Sequence, residues 1–361
     1  MSYIVPIGPY HPALEEPVHA RLFVEGEEIK DAKVYIGYNH RGIEKLAQQK
    51  NYIQTLVMVE RVCGICSHSH AFTYAMACEA IAKMNVPKRG QYIRVIVAEL
   101  ERLHSHYLWL GIALHLIGHD SLFMHSWDDR EAIMDILEEI TGNRVNYGMI
   151  TIGGARRDIS DETRKNVLEM LDKIEKSMNV IKDMLLSDKT VALRTQGVGI
   201  LTKEDAIRIG AVGPQARASN WAIDVRKDAP YSSYEDFDFN VAVWDSCDVF
   251  SRVVIRVLEN FESIKIIRQA LDMLPSGPIN LGLSRIPKIP AGEYMIRYEA
   301  PRGQLCYKVV SNGGEFNKRV SIHVPTFRNA PTVPTMLRGN SVADAGLIVA
   351  SIDPCFSCMD R

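Results

Sequence analysis

Two stretches near opposite ends of the chain decide how it is read: Glu60-Arg61-Val62-Cys63-Gly64-Ile65-Cys66-Ser67-His68-Ser69-His70 and Asp353-Pro354-Cys355-Phe356-Ser357-Cys358-Met359-Asp360-Arg361. Each contains a Cys-x-x-Cys. Two intervening residues let both thiolates point to one side of a turn and chelate one soft metal, and two such pairs supply four sulfurs. Spacing alone leaves the metal open. A structural zinc held by four cysteines is one reading, and a thioredoxin-like redox pair is another. Zinc ribbons keep their pairs close in sequence, whereas here nearly the whole chain separates them. The redox motif belongs to a helix start in a βαβ unit, a pattern not evident in this sequence. A fold of this size hardly needs a metal staple, so the four cysteines point to a functional centre.

Working outward, 361 residues with 47% hydrophobic content can bury a large core. A net charge of -2, from 42 basic and 44 acidic residues, gives no electrostatic case for nucleic acid or an anionic membrane surface. Small molecules and other proteins are the expected partners. Met1-Ser2-Tyr3-Ile4-Val5-Pro6 lacks the basic and apolar segments of an export signal. The longest uncharged apolar run, Tyr107 to Gly118, is far short of the roughly 20 residues a spanning helix needs. The expectation is a chain soluble in itself that can dock on a membrane complex. Seven cysteines, an odd number without an export signal, argue for reduced thiols over a disulfide framework.

The periodicity predicts a mainly α chain (α+β), with a core of long bundled helices, small peripheral β-hairpins and one domain over residues 1–361. Ala20–Val24 and Ala32–Tyr38 are β-rich and flank Glu25-Gly26, which reads as a hairpin. A long helix is expected over Gln91–Gly118, with His104, His106 and His115 on it. Another follows Ser160, where Val167, Leu171, Ile174, Met178, Ile181 and Leu185 recur at steps of four and three. Ser160 is a suitable N-cap, and Asp161 and Glu162 favour the first turn. A third helix, Ser246–Leu274, carries Phe250, Val254, Val257, Phe261 and Ile264 on one face until Pro275-Ser276-Gly277-Pro278 stops it. Leu305–Val310 and Val320–Val324 flank Asn312-Gly313-Gly314 as a second hairpin.

The two cysteine stretches, together with Arg41-Gly42-Ile43-Glu44 and Ala300-Pro301-Arg302-Gly303, closely resemble the motifs of nickel-iron hydrogenase large subunits, in the same order along the whole chain. Gly8-Pro9-Tyr10-His11-Pro12-Ala13-Leu14-Glu15-Glu16-Pro17 and Gly153-Gly154-Ala155-Arg156-Arg157-Asp158 are similar to the energy-converting, complex-I-related branch, which includes ferredoxin-linked and carbon-monoxide-linked types. The resemblance implies the nickel-iron hydrogenase large-subunit fold. It implies that Cys63 and Cys355 bind nickel terminally while Cys66 and Cys358 bridge it to an iron carrying carbonyl and two cyanide ligands. Hydrogen would be split heterolytically, with Cys355 the first proton acceptor and Glu15 the onward carboxylate, a better match to the family's spacing than Glu16.

By the same resemblance, Arg302 with Pro301 overhangs the metals and Asp353 holds that guanidinium. Thr326 matches a cyanide-binding hydroxyl, and His70 would donate to a bridging sulfur. Glu44 would anchor the C-terminal segment through magnesium or iron, although Arg361 stands where many relatives have a histidine. An aspartate of the metal canopy, expected after His104-Ser105-His106, has no counterpart. Implied partners are a small subunit with an iron-sulfur cluster, a ferredoxin-like subunit and integral membrane subunits that move ions, at the cytoplasmic face of the membrane. The rival readings are a complex-I-like quinone-site subunit without nickel and a zinc-stapled scaffold. His104, His106, His115 and His119 read as core or interface histidines, and Cys78, Cys247 and Cys306 as buried small hydrophobes.

Overall fold

Residues 88–117 form one 30-residue helix whose side chains are buried on nearly every face, polar ones included, so it must run through the middle of the core. Gly118, in the left-handed conformation at φ 97°, ends it, and the Asp120–Thr141 helix folds back along it. Pieces from Val18 to Met359 meet in one hydrophobic cluster around this helix. The computed structural model describes residues 2–10, 16–283 and 287–361.

The outer helices form where the apolar spacing predicts. In the Asp161–Ser187 helix the six periodic residues from Val167 to Leu185 are all buried, and Ser160 Oγ accepts the Thr163 N–H at 3.1 Å as its cap. The Val249–Asp272 helix buries Phe250, Val254, Val257 and Ile264, with Phe261 half-buried. It begins later than the pattern suggests because Asp248 Oδ1 accepts from Ser251 N at 2.9 Å, which fixes the first turn there. The Asp120–Thr141 helix escapes the sequence reading: its buried face is interrupted by Ser126 and its remaining positions are mostly charged.

Two three-stranded antiparallel sheets flank the bundle. Ser2–Ile7, His19–Glu25 and Glu28–Tyr35 pair in chain order, which gives the expected hairpin plus an unforeseen first strand. Ala291–Ala300, Gly303–Asn312 and Asn317–His323 form the other sheet. Its first strand is also unforeseen, since residues 291–295 are all exposed and carry no buried alternation. Pro301 and Arg302 are the apex of the tight turn joining the first two strands. Gly303 follows at φ 122°, and a Cβ there would meet Gly213 N at 2.7 Å, so a side chain would displace the apex. Among the described residues, no helix is long and apolar enough to cross a membrane.

Ionic groups buried beside the central helix brace that apex. Arg102 donates to Glu299 O at 2.6 Å, to Ala300 O at 3.2 Å and to Glu99 at 3.1 Å. Arg226 also pairs with Glu99 and with Asp224, while Arg217 joins Glu259 to Glu299. Burial raises the Glu99 carboxyl, but Arg102 and Arg226 outweigh it and hold it down at about 2. Removing one partner would leave an uncompensated buried charge. We expect Arg102→Ala to destabilise the fold by about 3–5 kcal/mol, read as a lower denaturation midpoint. Loss of the exposed Lys265–Asp238 pair in Lys265→Ala should leave the midpoint unchanged.

Candidate metal centre

Each Cys-x-x-Cys forms the same local turn. Cys63 Sγ accepts the Ile65 and Cys66 N–H groups at 3.2 and 3.3 Å, and Cys355 Sγ accepts the Cys358 N–H at 3.4 Å. The first sulfur of each pair is thus an acceptor for backbone donors, which favours its thiolate. Each pair adjoins a helix start, Cys66 immediately before Ser67–Ile81 and Cys355 immediately before Phe356–Asp360, which contains Cys358. The first of these helices is held by Glu101 of the central helix. Its carboxylate accepts from His68 N at 2.6 Å, from Ser69 N at 3.0 Å and from the Ser69 hydroxyl. Burial pushes the Glu101 carboxyl up to about 8.

The two turns face each other. Cys63 and Cys355 sulfurs lie 3.5 Å apart, Cys66 and Cys358 3.6 Å, and Cys355 and Cys358 3.0 Å. Cys63, Cys66 and Cys358 lie within 4.8 Å of one another. All four are buried free thiols. Hydrogen bonds from Cys355, Cys358 and Cys66, aided by the Arg302 charge, hold the Cys63 thiol well below its ordinary range. Burial raises Cys358. For Cys66 and Cys355 the hydrogen bond with Cys358 works downward, but Cys63 and burial together outweigh it and both are raised. A set of four soft donors that cannot ionise together without a cation fits a nickel-iron pair in its chemistry.

The surrounding groups are buried and paired. Arg302 Nε donates to Asp353 O at 2.9 Å, NH2 to Asp353 Oδ1 at 2.6 Å and NH1 to Ser105 Oγ at 3.2 Å. Burial opposes its charge, and Asp353 with the neighbouring thiols more than restores it. Asp353 Oδ2 is buried without a hydrogen-bond partner among the described residues. His70 Nε2 lies 3.5 Å from Cys358 Sγ and Nδ1 lies 2.7 Å from Tyr307 OH. Burial pushes this ring down to about 4, so it is neutral; with Nε2 carrying the proton, it donates to sulfur and accepts from the phenol. Thr326 Oγ1 accepts the Cys355 N–H at 3.1 Å, and Pro301 is buried beside Arg302.

Other expectations fare differently. Glu15 lies outside the described residues. Its neighbour Glu16, the poorer match on spacing, accepts from the Phe356 and Ser357 amides and the Ser357 hydroxyl, and so caps the turn that carries Cys355. The residues around Glu44 do not fit a second metal. Its Oε1 accepts from Arg361 Nε and Ile322 N, both at 2.9 Å, and its Oε2 from Arg319 at 2.8 Å. In the stretch where the canopy aspartate has no counterpart, Ser105 of the central helix accepts from Arg302 NH1. His106 pairs with Glu259 at 2.9 Å, and His104 is buried with neither ring nitrogen bonded among the described residues. His115 is exposed, and His119 lies half-buried. Cys78 is buried, but Cys247 and Cys306 are only half-buried.

Two family models match the chain. Respiratory-chain NADH dehydrogenase, 49 kDa subunit, covers residues 117–286 and 281–361, and nickel-dependent hydrogenase covers residues 41–122. The carbon monoxide-induced hydrogenase of Rhodospirillum rubrum is 42% identical, across 100% of this chain and 99% of its own. The membrane-bound hydrogenase subunit alpha of Pyrococcus furiosus is 40% identical, across 99% of this chain and 87% of its own. A chain in the solved membrane-bound sulfane sulfur reductase, an archaeal respiratory membrane complex, superposes with a TM-score of 0.94 at 31% identity, covering 100% of this chain and 98% of that one. Thr326→Val leaves the buried Cys355 N–H without its acceptor and should cost about 1–3 kcal/mol of stability, whereas Thr326→Ser should restore it, as thermal unfolding of the two variants would show.

Proposed function

Because the chain belongs to the family of membrane-bound hydrogenase large subunits related to the 49 kDa subunit of respiratory NADH dehydrogenase, we propose that it is the catalytic subunit of a nickel-iron hydrogenase that interconverts hydrogen with protons and electrons. The observation that carries this reading is the meeting of four buried free thiols from both ends of the chain. A quinone cavity has no need of four thiolates. Cys63, Cys66, Cys355 and Cys358 would together hold the nickel-iron centre with its carbonyl and cyanide ligands. When bound, that centre supplies the site at which hydrogen is cleaved heterolytically.

The protein's own groups then have distinct tasks. Arg302, fixed by Asp353, keeps a permanent cation in a dry pocket, where it would stabilise the negative charge of the thiolates and of the ligands that the centre carries. Thr326, whose oxygen accepts from Cys355 N, would have its hydroxyl hydrogen to offer to a cyanide ligand of the centre. His70 donates to Cys358 and tunes that sulfur. Cys355 takes the proton first. Glu16 takes it next: its carboxylate lies on the Phe356 and Ser357 amides, beside Cys355, and its bond to the Ser357 hydroxyl gives a path outward. Glu15 is the second candidate for this step. Electrons leave through a small subunit with an iron-sulfur cluster and a ferredoxin-like subunit. Integral membrane subunits couple the reaction to ion movement, and the single 361-residue domain sits on the cytoplasmic face of the membrane.

Elemental analysis and infrared spectra of the purified complex test this reading. Nickel and iron with carbonyl and cyanide bands are expected; zinc alone, or fully assembled protein without metal or bands, would overturn it in favour of a scaffold or quinone-site subunit. In a complex with those bands intact, Glu16→Gln should slow hydrogen–deuterium isotope exchange at least ~100-fold. Full exchange in Glu16→Gln with loss in Glu15→Gln would move the relay to Glu15.

A further inference from the structure

The two thiolate turns lie far apart in sequence, and the contacts that hold one against the other are made largely by arginine. Arg41 NH1 donates to Arg61 O at 2.9 Å, and its NH2 donates to Val62 O at 2.8 Å and Ser357 O at 2.7 Å. Arg61 and Val62 immediately precede Cys63, and Ser357 lies between Cys355 and Cys358. One planar group therefore spans both halves of the centre, although its stem is exposed. A guanidinium has donors in a fixed plane for three such carbonyls; an ammonium is a point charge without that geometry.

A second guanidinium holds the chain just beyond Cys358. Arg361 Nε donates to Glu44 Oε1 at 2.9 Å, and its NH1 turns back to Met359 O at 2.8 Å. Between them, Asp360 Oδ2 accepts from Gly37 N and Asn39 N at 3.0 and 2.9 Å, and Arg41 N donates to Arg361 O at 3.3 Å. A divalent cation such as magnesium requires several free oxygen donors in octahedral array. Here both oxygens of Glu44 are taken by Arg361, Arg319 and Ile322 N, and Asp360 is engaged with backbone amides. Among the described residues, the thiols are the sole cluster of ligand side chains suited to a metal.

We propose that Arg41 and Arg361 form a guanidinium clasp that positions the C-terminal cysteines against the N-terminal pair, in place of the divalent cation that the fold family suggests there. Both are positioning residues, acting through the thiolate turns. The proposal extends the reading of the thiols as a metal centre, but its geometry stands on the apoprotein contacts alone.

The test is made on the intact complex with Arg41→Lys, Arg41→Ala, Arg361→Ala and Arg361→Lys, and with Lys265→Ala as a remote control. Amide hydrogen exchange of a peptide covering residues 353–361 and the nickel, iron and magnesium content per chain are measured together. Arg41→Lys and Arg41→Ala should both raise exchange in that peptide tenfold or more and lower nickel content. Arg361→Ala should also raise exchange, whereas Arg361→Lys should recover most of the protection through Glu44. Chelation with EDTA should leave the wild-type exchange unchanged. Unchanged exchange in Arg41→Ala and Arg361→Ala would overturn the clasp, as would a bound magnesium whose removal raises exchange. Absence of nickel from the wild type would defeat the hydrogenase reading, and the exchange comparison would still decide for or against the clasp.

Discussion

Four sulfurs brought together in a buried place concentrate more potential negative charge than protein groups alone can carry, and much of the structure around them answers that constraint. Backbone amides point at Cys63 and Cys355, the Arg302 charge favours the Cys63 thiolate, and neutral His70 offers a donor without adding charge. Even so, mutual repulsion and burial hold three of the thiols above their ordinary range. A cation resolves this, and ligand softness favours a transition metal. The chemistry of the centre follows from electrostatics before any particular reaction is considered.

Buried arginines elsewhere in the core answer to carboxylates and brace the turn beside the centre. The Arg102, Arg217 and Arg226 network is far from a surface decoration: it fixes Glu299 and Ala300, and through them the turn on which Arg302 is presented. Each ion in it is paired, which offsets a desolvation cost that no single pair would comfortably cover. Glu101 performs a related task on the other side, tying the helix after Cys66 to the central helix. The central helix therefore carries charged residues in its core because it braces both Arg302 and the first thiolate turn.

How much of this is legible in the sequence depends on the range of the interactions. The Asp161–Ser187 helix, its Ser160 cap and the hairpins are readable because caps, turns and amphipathic spacing are local. The Asp120–Thr141 helix escapes because its buried stripe is diluted by charge, and the Ala291–Ala300 strand because it gains its pairing from a partner rather than from alternation of its own. At the centre, the cysteines, His70, Arg302 and Asp353 are recognisable from their motifs. Glu16 is not, because the family's spacing points to its neighbour and only the fold brings the Glu16 carboxylate to Ser357.

By itself the sequence determined the helix-rich class, the two cysteine pairs and the family resemblance, since these reside in residue types and short spacings. It could not determine that Glu44 is already satisfied by Arg361 and Arg319, that Arg41 joins carbonyls on both cysteine turns, or that Ser105 meets Arg302. Those contacts join residues dozens to hundreds of positions apart. Their partners are chosen by the packing of helices and strands, and only the tertiary structure decides which donor reaches which acceptor.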